Sequence, residues 1–168
     1  MTPPRPYLAL ITMNMLAAWI GVAVFVAAVI APAAFAVLPT RALAGALVGQ
    51  ALPALFMSGI VVGAVVIALH GSDARPVALG GLVLLAGNAC AVMIENRLHA
   101  LLVSLGAPID SIAITDPRRV AFGRMHGLSV LLMGIAMIGA AVALVVLIRR
   151  FVARSDLPTF PLSQTSTP

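Results

Sequence analysis

The sequence predicts an all-α fold, an integral membrane bundle of four transmembrane helices. Of its 168 residues, 62% are hydrophobic and 9% charged, and the mean hydropathy is +1.14. A surface that apolar belongs in lipid. Four runs each reach the roughly 20 apolar residues an α-helix needs to cross about 30 Å of hydrocarbon. The breaks between them carry proline, glycine and capping residues, so the chain reverses after each crossing.

The first span runs over about 7–30, behind a flexible tail at 1–6. The small residues of APAAFAVLP that follow it imitate a signal-peptidase site. A signal h-region holds about 7–15 apolar residues, however, and this run is longer, so it reads as a retained span. Thr40 is the N-cap of the second helix, which spans about 43–69 and contains Pro53, where a kink is expected. Ser72 or Asp73 caps the third helix, with Pro76 in its first turn. That helix spans about 77–99, and its pattern continues to Leu105, where Gly106 and Pro108 stop it. Asp116 and Pro117 read as N-cap and first helical residue of the fourth, which spans about 122–148 and continues to Arg154. A single domain over 7–154 and a flexible tail at 155–168 complete the chain.

The net charge is +5 and all ten basic residues are arginine. With few aromatic residues to interleave, this excess reads as topology and lipid headgroup contact; no nucleic acid is expected as a partner. The lone Cys90 has no partner for an internal disulfide. No Ser-His-Asp set, zinc signature or phosphate loop occurs. Nothing in the sequence dictates a reaction, so an enzyme is the less favoured reading, with no catalytic residue and no cofactor assigned.

Small residues recur four apart at Ala17 and Gly21, Gly45 and Gly49, and Gly59 and Gly63, the spacing that lets helices approach closely in lipid. With Trp19, and with Asn14 and Asn88 as interhelical hydrogen-bonding residues, they form the predicted packing set. The expected partners are membrane lipids and a homo-oligomer or larger membrane complex.

Four alternating spans place the first and third loops on one side of the membrane. Arg41 lies in the first loop; Glu95, Arg97, His99, Arg118, Arg119, Arg124 and His126 flank the third. Rise per residue gives about 27 Å from Val77 to Glu95 and about 33 Å from Ile148 back to His126, so both reach the same interface. Asn88, Val92, Glu95 and His99 form one stripe, and Arg119, Phe122, His126, Ser129 and Met133 another. If the stripes face each other, Glu95 meets Arg124 or Arg119, with His126 alongside. Arg41, Glu95, His99, Arg119, Arg124, His126 and Ser129 are then the ligand-binding set for a small solute or ion. Competing readings are snorkelling arginines, a structural ion pair at Glu95 and a helix-bridging His126. A haem- or copper-binding redox protein is a further alternative, using His99, His126 and the soft donors Cys90, Met93, Met125, Met133 and Met137. So is a structural subunit of a larger complex.

The segments WIGVAVFVAAVIAPAAFAVLPTRALAGALVGQALP, from Trp19 to Pro53, and FGRMHGLSVLL, from Phe122 to Leu132, resemble a bacterial membrane family of unknown function related to transmembrane protein 205. The matching positions are Trp19, Gly21, Pro32, Phe35, Ala44, Gly45, Gly49, Arg124, His126, Gly127 and Ser129. Glu95 departs from the family pattern, which is more apolar there. The resemblance implies a membrane-embedded four-helix protein without an assigned activity.

Five arginines fall on each side of the membrane. With Arg41, Arg97 and Arg124 engaged in the cluster, the side holding both termini is the more basic. Both termini are then expected in the cytoplasm of a cell whose inner membrane holds the protein.

Overall fold

The computed structural model describes residues 6–71 and 74–155. The expected caps Ser72 and Asp73, and most of both expected tails, lie outside the described residues. Four helices are long and apolar enough to cross a membrane: Tyr7–Val37, Arg41–His70, Arg75–Leu105 and Pro117–Ala153. The protein is a multi-pass helical membrane bundle.

The first crossing is longer than the expected 7–30. Helix α1 (Pro6–Phe25) passes through a π-turn (Val26–Ile30) directly into α2 (Ala31–Val37). Pro32 stands at the start of α2. Its ring crowds the carbonyl four residues back, and it has no N–H to donate. The widened turn immediately before the proline takes up that crowding, and the helix continues. Thr40 caps α3 (Arg41–His70), its hydroxyl accepting from the Leu43 amide at 3.2 Å. Helix α3 continues through Pro53, whose missing N–H leaves the Gly49 carbonyl without its helical donor.

Helix α4 (Arg75–Leu105) has a proline in its first turn and ends at Gly106, which adopts φ 62° in the left-handed region. Only glycine enters that region without strain, which is why the helix stops there. A short 3₁₀ turn (Ile109–Ser111) follows. Asp116 then starts α5 (Pro117–Ser155), its carboxylate accepting from the Arg118 amide at 2.8 Å.

Helix α4 is the hub, packing on one side against α5 and on the other against α3, while α1 closes the ring by touching α3 and α5. Glycines permit this. A Cβ on Gly80 would lie 2.6 Å from the Gly139 carbonyl, and one on Gly63 2.7 Å from the Gly81 carbonyl. The backbones of α4 and α5, and of α3 and α4, therefore meet almost directly. Leu16, Trp19, Leu55, Val66, Val77, Leu84, Ala136, Ala140 and Ala143 fill the interior.

Other members of the predicted packing set are placed differently. A Cβ added to Gly21, Gly45 or Gly49 would meet nothing within 4 Å, because their helix faces point away from the bundle. Asn14 is exposed and donates to the Leu10 carbonyl of its own helix at 2.9 Å, bridging no helices.

Gly80→Ala is therefore expected to destabilise the protein by about 1–3 kcal/mol, the usual cost of overpacking. Gly45→Ala should be neutral or stabilising, because alanine favours helix by about 1 kcal/mol where nothing obstructs it. Unfolding of each variant in mild detergent measures the contrast; equal stabilities would refute the close backbone approach.

Candidate functional site

On the side where α1 starts, the apolar stretches of the four crossings begin at about Tyr7, His70, Arg75 and Arg149. Twenty residues from each, about 30 Å, lie Ala27, Gln50, Glu95 and Ser129. By this count Glu95 and Ser129 stand at one level, about one hydrocarbon thickness from those starts. Close contacts between α4 and α5 fix that pairing. Gly80 opposes Gly139 and Ala143, Gly87 opposes Leu132 and Ala136, and two turns further along α4 the Ser129 hydroxyl donates to Glu95 Oε1 at 2.8 Å. Ser129 is buried and Glu95 half-buried.

The expected ion pair between Glu95 and Arg119 or Arg124 is replaced by other contacts. Arg119 points into the connection ahead of α5, donating to the Ile112 carbonyl at 2.6 Å and lying 4.0 Å from Asp110. Arg118 pairs with Asp116 at 3.0 Å. Both loop acids are close in sequence to these arginines, so the loop meets them at less cost in chain ordering than α4 does across the helix interface. Arg41, Arg97 and Arg124 are exposed and form no ion pair with a described residue. His126 is exposed and stacks on Phe122 one turn earlier, ring centroids 6.1 Å apart and 3° from parallel. His99 is exposed on the outer side of α4. Of the predicted set, then, Glu95 and Ser129 are joined directly. Arg124 and His126 lie within two turns of Ser129 on the same helix, and Arg119 is drawn into the loop.

The Asp116 carboxyl is held below its ordinary 3.8 by the Arg118 side-chain hydrogen bond and by the Arg118 amide. Its contribution to folding is accordingly present above the unfolded carboxyl range and fades as the pH falls through the lower folded value.

Among the described residues no three of His, Cys, Asp and Glu gather closely enough to hold a metal ion. Cys90 and Met93 face outward, while Met133 and Met137 pack on the core. The soft donors are thus split between lipid and interior.

Deeper in the bundle, Asn88 forms no hydrogen bond between helices among the described residues, contrary to expectation, because its amide is satisfied one turn back on α4. Asn88 is fully buried, donates to the Leu84 carbonyl at 2.7 Å and leaves Oδ1 without a partner. Its amide fills the space a Gly59 side chain would take, 2.5 Å from the Cβ position. Trp19 Nε1 donates to the Leu55 carbonyl at 3.1 Å, tying α1 to α3.

Sequence reasoning missed the bond between Thr12 and His70. Thr12 donates to the Leu8 carbonyl at 2.8 Å, and His70 Nε2 lies 3.2 Å from its hydroxyl in a buried contact. The rise per residue that placed Glu95 and His126 also puts Thr12 and His70 near one interface, and that was the available signal.

Ser129→Ala removes the hydrogen-bond donor that Glu95 receives from α5, and a loss of about 1 kcal/mol is expected. Thermal unfolding in detergent reads it, and an unchanged variant would show that the contact adds nothing to stability. Asp116→Ala should speed amide exchange in the first turn of α5 at neutral pH. Wild type should approach the variant in acid as the carboxylate is protonated; a pH-independent difference would refute the linkage.

No curated protein and no solved structure matches the chain. The family model described as Domain of unknown function (DUF4149) matches residues 14–102, more than half of the chain. That match covers Trp19, the close-packed Gly59 and Gly63, Asn88 and Glu95, and by it the chain belongs to the DUF4149 family.

Proposed function

We propose that the protein binds a small anionic solute at the Glu95 end of the bundle, as a non-enzymatic component of a bacterial inner membrane. One observation carries the reading. Loop carboxylates pair with Arg118 and Arg119, while Arg97 and Arg124 have no acidic partner among the described residues and Glu95 is held by a hydroxyl. Exposed guanidinium groups at the edge of the hydrocarbon provide planar donors for a carboxylate or phosphate. Glu95 and Ser129 add a fixed polar contact beneath them, and His126 adds a ring on the same helix. The resemblance to transmembrane protein 205 is compatible with this reading and supplies no substrate.

The interior is filled by side chains such as Phe56, Leu16 and Leu84. A solute moved across the membrane would therefore travel between copies of the chain. Gly21, Gly45 and Gly49, open on the outside, suit close approach of a second copy. The start of α1 and the end of α5 lie on the side opposite the site; with Arg41, Arg97 and Arg124 outside any ion pair among the described residues, it is their engagement by the anion that would leave that side the more basic and cytoplasmic.

Equilibrium dialysis of the detergent-purified protein against labelled inorganic phosphate tests the proposal. Saturable binding is expected, weakened about tenfold, or 1.4 kcal/mol, by Arg124→Gln and left intact by Arg149→Gln. Absence of binding, or equal loss in both variants, would reject it.

A further inference from the structure

We propose a second binding site, at the opposite end of the molecule, for a phospholipid with an anionic headgroup. A groove of about 300 Å³ between the end of α3 and the start of α4 is lined by Ile67, Gly71, Arg75, Ala78, Leu79 and Leu82. On α4 the lining positions follow helical spacing along one face, and on α3 Ile67 and Gly71 are one turn apart. The groove therefore runs along the helices. Leu82 lies about 10 Å deeper than Arg75, so the axis leads from the headgroup level into the hydrocarbon.

The lining divides by chemistry along that axis. Arg75 is exposed and makes no ion pair with a described residue, and the remaining positions offer carbon. A free anion would use the guanidinium and leave the apolar groove empty. A neutral chain would fill the groove and leave the guanidinium unmatched. A phosphate joined to an acyl chain satisfies both, its oxygens on the planar fork of Arg75 and its first methylenes along Leu79 and Leu82. The volume is at the lower end for ligand pockets, which suits the upper part of one chain with the rest of the lipid in the bilayer. Gly71 carries no side chain to cross the mouth.

The test uses the full-length protein in phosphatidylcholine vesicles containing a phosphatidylglycerol analogue with a photoactivatable group near the start of its acyl chain. After illumination and digestion, cross-links should concentrate on residues 67–82. They should fall about tenfold in Arg75→Gln, and equally in Leu79→Trp, which fills the groove without touching the charge. Arg124→Gln, at the other end, should leave them unchanged, which separates this site from the one under Proposed function. Even labelling of outward positions such as Val61 and Val142 would overturn the proposal. So would equal labelling by a phosphatidylcholine analogue, or displacement by free fatty acid but not by phosphatidylglycerol.

Discussion

Direct contact between helix backbones at glycine is the constraint on which the rest of this structure depends. Lipid tails are as apolar as leucine side chains, so burying leucine does little to hold two membrane helices together; close packing must do it. Gly80 against Gly139 and Gly63 against Gly81 bring α4 within backbone reach of both neighbours. Such contacts also fix register. Sliding α5 by one turn would move Ser129 about 5.4 Å along α4, and the 2.8 Å bond to Glu95 would be lost. The polar pair at the membrane edge is thus positioned by glycines two and four turns away.

Asn88 shows the same constraint from within. Its amide occupies the volume that Gly59 leaves free, and it spends its donor on its own helix. The orphaned Oδ1 costs on the order of 1–3 kcal/mol, which the surrounding packing must offset. A glycine that admits a polar side chain differs in role from one that admits a backbone, although both read as the same letter in the same four-residue spacing.

That difference marks what was legible in the sequence. Four spans, their caps at Thr40 and Asp116, and the stop at Gly106 followed from hydropathy and capping chemistry, because each is a local property. That α4 meets α5 at Glu95 was legible from rise per residue, which brings the two helices level there. Helix rotation was not legible: α1 and α3 are apolar on nearly every side, so nothing local says that Gly59 faces α4 while Gly45 and Gly49 face outward. The partner of Glu95 was hidden for a related reason. Opposite charge favours arginine on general grounds, yet Asp110 and Asp116 lie nearer in the chain to Arg118 and Arg119 and hold them first. The π-turn before Pro32 was equally hidden, since Pro53 is passed by α3 without one and nothing local separates the two prolines.

The two hairpins reach the same side of the membrane with opposite character. Beyond the level of Glu95, α4 and α5 carry Arg97, His99, Arg118, Arg119, Arg124 and His126, while the π-turn, α2 and the start of α3 expose Val29, Phe35, Val37, Leu43 and Leu47 around the single charge of Arg41. The first crossing is 31 residues long, about 46 Å of helix against about 30 Å of hydrocarbon. Hiding that excess by tilt alone would need roughly 50°, outside the usual range of transmembrane helices. A flat bilayer that covers the apolar tip would also submerge the arginines beside it. Tilt alone therefore does not match this crossing to a hydrocarbon layer of about 30 Å. The outward glycines Gly45 and Gly49 lie on the part of α3 beside this stretch, where a Cβ would meet nothing within 4 Å, so the helix faces there take no part in the packing that holds the bundle together.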